Sequence, residues 1–239
     1  MAEAMVAVGV PHFATGEFVS HRKFLRDKEY GEALDSIVKG CTDLLVTSVD
    51  GSRVLVGKRS VHPQPDWWFI GGRMLPGDTP ASSCARILKR ELGLDVPAER
   101  IRFVCAASLA WDRRVQEPQT NGTCDLQLVL STQLTADEAG RVRLDAQEYT
   151  TSEWLPLEAV AHGSFHPALS YACRELLARR VEARLGECAA LPPAADSDAQ
   201  LATLARELVA LRRPLPSGRS AYVLRSTELT YEAAVDVTP

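Results

Sequence analysis

Residues 71–94, GGRMLPGDTPASSCARILKRELGL, contain a helix whose two ends are both marked by their residues. Thr79 is a favourable N-cap, Pro80 suits the first helical position, and Gly93 suits the left-handed residue that ends a helix. Apolar side chains recur at the spacing of a core-facing stripe, at Ala81, Ala85, Leu88 and Leu92. This pattern predicts a helix that follows a glycine pair and packs one face against a core.

The segments around this helix alternate between strand-like and helix-like patterns. Two β-rich runs, 43–49 and 52–59, are separated by Asp50-Gly51, a dipeptide that favours a type I′ hairpin turn. Before them, apolar residues recur at helical spacing over 24–40. Further strand-like runs and a long amphipathic segment follow at 67–70, 101–110, 125–132, 151–155 and 166–185. This order predicts an α/β fold with a mixed β-sheet between helices.

The length of 239 residues favours one main domain with extensions. We expect a weakly patterned segment at 1–20 and a main domain with an N-terminal helix at 21–185. Residues 186–198 combine Pro-Pro with small and acidic residues, which predicts a linker. Residues 199–239 then form a C-terminal extension, a helix plus a strand that is a candidate dimer arm.

Charge and composition argue against several classes of protein. The net charge is -4 and the basic residues are scattered, so there is no basic field for nucleic acid. The six cysteines lie far apart without a C-x-x-C pair, which indicates reduced thiols rather than a zinc site. The sequence has no secretory signal pattern and no apolar run of membrane-spanning length. We therefore expect a cytoplasmic protein that binds neither nucleic acid nor membrane.

The helix and the glycine pair before it resemble the Nudix box, G-x5-E-x7-R-E-U-x-E-E-x-G-U, in which U is a bulky aliphatic residue. Asp78, Ile87 and Arg90 stand where the family has glutamates. The matching positions are Gly72, Arg86, Leu88, Glu91, Gly93 and Leu94. The resemblance implies a Nudix-type α/β/α sandwich with a mixed β-sheet, together with an N-terminal helix and a C-terminal helical extension.

The altered box changes the chemistry that is expected of the helix. At about 100° per residue, Ile87, Arg90 and Glu91 fall on one arc, where the family gathers carboxylates around Mg²⁺. Only Glu91 keeps a carboxylate there, whereas attack of water on phosphorus usually needs several metals or a metal and a glutamate base. The box therefore argues against a standard Nudix pyrophosphatase. Arg90 is either a surface cation or a cation in the vacated metal position, and Arg86 is expected to tether the loop through Asp78.

A branch of the family, the GDP-mannose mannosyl hydrolases, also keeps only the last glutamate of this helix and hydrolyses GDP-sugars at the sugar carbon. The similarity spans residues 24–172 and is carried by FLRDKEYGEALDSIVKGCTDLLV, LVGKR and P-x-x-D-W-W-F-I-G-G-R. Where that branch has a Gln-His pair in a later loop, this chain reads DAQEYTTSEW and has no histidine.

This resemblance implies a role for several residues. Asp43, Arg59 and Tyr149 would be catalytic, with Tyr149 or Glu148 in place of the branch's histidine. Arg59 and Arg73 would bind the substrate. One Mg²⁺, or Mn²⁺ in its stead, would be held by oxygen ligands from Gly71, Glu91 and either Gln147 or Glu148.

The expected reaction is hydrolysis of a nucleoside diphosphate sugar similar to GDP-mannose. The metal and the arginines would neutralise the departing diphosphate, and Asp43 would orient or deprotonate the water that attacks the anomeric carbon. Two alternatives stay open: a catalytically inactive Nudix-fold module that binds a nucleotide sugar or regulates, and a pyrophosphatase that attacks phosphorus. The expected partners are the small-molecule nucleotide sugar and a second copy of the chain in a homodimer.

Overall fold

A seven-stranded mixed sheet is the centre of the first of two compact units in the computed structural model, which describes residues 9–144, 148–212, 222–225 and 230–233. The first unit is Val8–Leu157, and the second includes Glu158–Pro239. The strands of the sheet are β1 Lys39–Thr47, β2 Arg53–Arg59, β3 Trp67–Trp68, β4 Ile70–Arg73, β5 Arg102–Trp111, β6 Thr123–Gln133 and β7 Tyr149–Pro156. The α-helices of this unit are α1 Asp27–Leu34, α2 Pro80–Leu92 and α3 Ala136–Ala139, and short 3-10 turns lie at Ala98–Arg100 and Gln119–Asn121.

The strands follow the order β3-β2-β1-β6-β5, with β4 paired to β1 and β7 paired to β2. Strands β1 and β6 are parallel, and their register sets Lys39 beside Asp125. The other pairs of the sheet are antiparallel. Strand β1 pairs with β4 along its first part and with β2 further along, so that Asp43 lies opposite Gly71. The mixed sheet with its helices confirms the predicted α/β class.

Helix α2 begins and ends where the sequence predicted. Thr79 Oγ1 accepts a hydrogen bond from Ser82 N at 3.1 Å, and Gly93 ends the helix with a φ of +68°. The apolar face of the helix belongs to the core of the sheet. The helix contributes Cys84, Ile87, Leu88 and Leu92, and the strands contribute Leu44, Val46 and Ile70. Ile87 is fully buried, so this departure from the Nudix box adds a side chain to the core.

The N-terminal helix is shorter than the predicted segment 24–40. Helix α1 ends at Leu34, and the chain enters the sheet at Lys39, where its backbone pairs with β6. Ile37 and Val38, which fitted the helical spacing, are exposed. Pairing with β6 thus takes Lys39 and Gly40, the last two residues of the predicted segment, into the sheet.

The hairpin between β1 and β2 forms as predicted, but its loop covers residues 48–52 and is not a two-residue turn. Asp50 holds the loop, since its carboxylate accepts hydrogen bonds from the hydroxyls of Ser48 and Ser52 at 2.6 and 2.7 Å. Gly51 has a φ of +73°, the left-handed conformation that glycine adopts without strain.

The second unit consists mainly of helices. Helix α4, Leu157–His162, begins at the last residue of the first unit and is followed by α5 Pro167–Ala189, α6 Ala195–Leu211 and the hairpin strands β8 Tyr222–Arg225 and β9 Thr230–Ala233. Val181, Cys188 and Leu204 form the buried core between α5 and α6. His166 caps α5, because its Nδ1 accepts a hydrogen bond from Ala168 N at 3.1 Å.

The predicted linker at 186–198 is reduced to residues 190–194, because α5 and α6 extend into it from either side. Cys188 is buried in the core that these helices share, and this packing favours helix where composition favoured a linker. The boundary between the two units, at 157–158, lies within the predicted 21–185 domain. Of the described helices, none combines the length and apolar character needed to cross a membrane.

Candidate functional site

A cavity of about 440 Å³ lies over one face of the sheet in the first unit. Alternate residues of a strand point to the same face, and two neighbouring strands supply the floor. The floor residues are Lys39, Cys41 and Asp43 from β1 and Thr123, Asp125 and Gln127 from β6. Arg59, Arg73 and Arg90 line the cavity from β2, β4 and α2. The volume is within the range of about 300–1,000 Å³ that is typical of small-molecule sites.

Asp43 is a buried carboxyl group at the centre of this floor. Burial raises its pKa to about 7, although a hydrogen bond from Gln127 and the charge of Arg59 act in the opposite direction. Gln127 Nε2 donates to Asp43 Oδ2 at 2.7 Å. On the other side, a β-carbon added to Gly71 would lie 1.7 Å from Asp43 Oδ1, so only glycine permits this packing. Asp43 is therefore held in a fixed position and changes protonation near neutral pH.

A buried ion pair forms the neighbouring part of the floor. Lys39 Nζ lies 2.8 Å from Asp125 Oδ1, and the Trp111 indole donates to Asp125 Oδ2 at 3.0 Å. The Lys39 and Asp125 side chains are 12% and 9% exposed. The Trp111 ring also packs edge to face on Trp68, at 5.6 Å between centroids. Polar groups and aromatic rings thus lie together in the cavity, as in sites that bind sugars or nucleobases.

Besides Arg114, three arginines bring guanidinium groups to the cavity, namely Arg59, Arg73 and Arg90. The Arg59 side chain is 18% exposed, and its Nη2 lies 3.8 Å from Glu148 Oε2. The guanidinium of Arg73 lies over the Tyr30 ring, 4.7 Å from the centroid. Guanidinium groups bind phosphate oxygens through paired N–H donors. The structure therefore brings together the predicted residues Asp43, Arg59 and Arg73 and adds Arg90 to them.

The loop between β4 and α2 is tethered as the sequence predicted. Arg86 Nη2 donates to Asp78 Oδ2 at 2.6 Å and to the Arg73 carbonyl at 3.2 Å. Asp78 Oδ2 also accepts a hydrogen bond from Leu75 N at 2.9 Å. These bonds fix the backbone at Arg73, from which its side chain reaches the cavity.

Two of the predicted metal ligands, Glu91 and Glu148, each face an arginine. Glu91 is fully buried, and its Oε1 contacts Nε and Nη2 of Arg90. Glu148 faces the guanidinium of Arg59, Gly71 packs on Asp43, and Gln147 lies outside the described residues. Within the described ranges, no group of three or more His, Cys, Asp or Glu side chains lies close enough to hold a metal ion. Mg²⁺ requires an oxygen-rich octahedral shell, and here the one carboxylate that the box helix retains faces a guanidinium instead.

Tyr149 lies in the core of the sheet, 4% exposed. Its ring packs on Gly57, where an added β-carbon would lie 2.4 Å from the ring. Burial raises the pKa of its hydroxyl well above the usual range, which keeps the group protonated. Tyr149 is not among the described residues that line the cavity, although the charges of Arg59, Glu148 and Asp43 also affect the pKa of its hydroxyl.

The sequence analysis missed the residues that the site takes from β6, namely Thr123, Asp125 and Gln127. They are far from Asp43 along the chain and meet it only through the parallel pairing of β1 with β6. A signal was present in the alternation of polar residues at 123, 125 and 127, since the other residues of 123–130 are apolar.

One family model and several solved structures are similar to this chain. A family model described as NUDIX domain matches residues 41–176, more than half of the chain. The C. elegans Ap4A hydrolase binary complex is similar at 16% identity and a TM-score of 0.44, over 61% of this chain and 99% of that one. The NUDIX domain of Shewanella oneidensis NrtR complexed with ADP ribose is similar at 15% identity and a TM-score of 0.45. The match covers 65% of this chain and 99% of that one. MutT NUDIX hydrolase from Burkholderia pseudomallei is similar at 17% identity and a TM-score of 0.47. The match covers 59% of this chain and 99% of that one.

No curated protein sequence matches the chain. The segment matched by the family model contains the altered box helix and the cavity residues Asp43, Arg59, Arg73 and Gln127. The chain therefore belongs to the NUDIX family.

Proposed function

We propose that the cavity binds a nucleoside diphosphate sugar, similar to GDP-mannose, and that the chain hydrolyses it at the anomeric carbon. The observation that carries this proposal is the position of Asp43, a buried carboxyl group with a pKa of about 7, in one cavity with Arg59, Arg73 and Arg90. A carboxyl group of this kind suits a general base at neutral pH. The arginines suit a leaving group that carries the charge of a diphosphate.

The reaction follows from these groups. Asp43 accepts a proton from a water molecule, whose oxygen forms a bond to the anomeric carbon. The bond between that carbon and the diphosphate oxygen breaks, and its electron pair leaves with the nucleoside diphosphate. Arg59, Arg73 and Arg90 neutralise the departing charge. The products are a free sugar and a nucleoside diphosphate.

Two buried polar atoms of the floor support a hydroxyl-rich ligand. Gln127 Oε1 and Thr123 Oγ1 have no hydrogen-bond partner within the part of the chain that the structure describes. Both residues line the cavity. Buried polar atoms are normally satisfied, and the hydroxyl groups of a sugar can donate to both of them.

The test is to incubate the purified chain with a panel of nucleotide sugars, with and without Mg²⁺, and to identify the products. In ¹⁸O-labelled water the released sugar should carry the label. Asp43→Asn should lower kcat by a factor of about 10² or more, whereas Asp95→Asn, at an exposed aspartate on the surface, should have no effect. Label in a nucleoside monophosphate or in a sugar phosphate would instead identify attack at phosphorus and refute the proposal.

A second candidate function is a binding or regulatory module without catalysis. The contact of Arg90 with Glu91 favours it, because this contact occupies the one carboxylate that the box helix retains. This candidate predicts that a nucleotide sugar raises the melting temperature of the protein and is recovered unchanged after long incubation. A cytoplasmic location and a homodimer stay predictions of the sequence.

A further inference from the structure

The cation that faces Glu91 belongs to this chain. NUDIX hydrolases generally use a divalent metal, usually Mg²⁺. Here the guanidinium of Arg90 contacts the buried carboxylate through two of its nitrogens. We infer that the Arg90 guanidinium takes the position of the divalent cation, so that the cavity binds a diphosphate without a metal. This inference rests on the proposed function, because it names the group that neutralises the diphosphate.

The position of Arg90 relative to the glycine pair supports the inference. Its Nη2 lies 3.1 Å from the point that a β-carbon on Gly72 would occupy, so the guanidinium lies close against this glycine. Arg90 lines the same cavity as Arg59 and Arg73. Its side chain is 49% exposed, whereas that of Glu91 is 0% exposed. The guanidinium therefore faces the carboxylate and is still accessible to a ligand.

The chemistry of the two side chains agrees with this assignment. A buried carboxylate needs a paired cation, and Arg90 supplies one at Glu91. A guanidinium has five N–H donors, and the contacts of Nε and Nη2 with Glu91 leave donors for phosphate oxygens. A guanidinium has no lone pair to offer a metal, and its charge repels a second cation at the same carboxylate. A divalent ion would therefore have to displace Arg90 before it reached Glu91.

The first experiment measures the binding of ADP, GDP and UDP to the full chain by calorimetry in the presence of EDTA. We expect saturable binding of at least one nucleoside diphosphate, and a loss of about tenfold or more in Arg90→Gln. Lys89→Gln is the matched control, since Lys89 is the preceding cation of the same helix and forms an exposed ion pair with Asp95. Binding that requires added Mg²⁺, or equal affinity in Arg90→Gln and the unaltered chain, would overturn the inference.

The second experiment titrates Mn²⁺ into the protein and follows the free ion by electron paramagnetic resonance. The unaltered chain should show no saturable site that depends on Glu91. Arg90→Glu, which replaces the cation with a carboxylate beside Glu91, should gain one. A Mn²⁺ site in the unaltered chain that disappears in Glu91→Gln would contradict the inference, and a folded Arg90→Glu variant without the gain would contradict the assigned position. If Arg90→Glu does not fold, the binding of nucleoside diphosphates by Arg90→Gln in the first experiment still tests the inference.

Both experiments measure binding and not turnover, so the inference about Arg90 and the proposed reaction can be refuted independently of each other. Diphosphate binding in EDTA, together with no hydrolysis of any nucleotide sugar, would support the role of Arg90 and refute the proposed reaction. Hydrolysis at the anomeric carbon that occurs only with added metal would support the reaction and overturn the role of Arg90.

Discussion

The buried carboxyl group of Asp43 makes the stability of this protein depend on pH. Its pKa in the folded chain is about 7, compared with 3.8 as its ordinary value, because burial disfavours the charged form. The neutral form is therefore favoured by folding. The contribution of Asp43 to stability should be most favourable below the ordinary pKa, decline as the pH rises from about 4 to 7, and level off above 7. Replacement by asparagine, which keeps the size of the side chain and its acceptor oxygen for Gln127 Nε2, should remove this penalty.

The size of the effect follows from the two pKa values. One pKa unit corresponds to about 1.4 kcal/mol, so the folded chain loses about 4 kcal/mol when Asp43 ionises. At pH 5 most of this penalty is still absent. The stabilisation of Asp43→Asn relative to the unaltered chain should consequently grow by about 3 kcal/mol between pH 5 and pH 8. For a protein of this size, that corresponds to a gain of roughly 6–12 °C in melting temperature.

The assay is a urea or thermal unfolding series of both proteins at half-unit steps from pH 5 to pH 8.5. Asp95→Asn controls for general charge effects, since the Asp95 side chain is 82% exposed. Hydrolysis assays at the same pH values should show the activity of the unaltered chain rising with an apparent pKa of about 7. Asp43→Asn should be stable but inactive. A stability difference that does not change with pH, or that grows toward acid pH, would refute a buried carboxyl group with a raised pKa.

Three further predictions concern single side chains. Gly71→Ala should destabilise the first unit by at least about 2 kcal/mol, because its β-carbon would overlap Asp43. The control Gly93→Ala, which has open space around it but a φ of +68°, should cost about 1 kcal/mol and leave ligand binding intact. Equal losses of stability for the two variants in denaturant unfolding would contradict the overlap. Tyr149→Phe should keep kcat within about threefold, because the hydroxyl lies in the core; a loss of 10² or more would restore the predicted catalytic role. Burial lowers the pKa of His166 to about 4, so the second unit should lose stability as the pH falls from about 6.5 toward 4, and His166→Asn should flatten this decline in thermal melts.

The features that depend on near neighbours in the chain were predictable from the sequence. The ends of α2 are set by Thr79, Pro80 and Gly93, whose capping effects act within one helical turn. The altered box was also visible, because a fixed helical period shows which residues share a face. The expectation that Asp43, Arg59 and Arg73 share one site came from a family resemblance, and the structure brings all three to one cavity.

Long-range pairing and burial decided the rest. Parallel pairing of β1 with β6 joins Gln127 to Asp43 and takes Lys39 and Gly40 into the sheet. Both strands are recognisable from their own residues, but those residues do not show which strand pairs with which. Tyr149 is adjacent to Glu148 in the sequence, yet the sheet buries its ring against Gly57. The pKa of Asp43 depends on the exclusion of water by residues from several elements, a property of the assembled core that no local pattern contains.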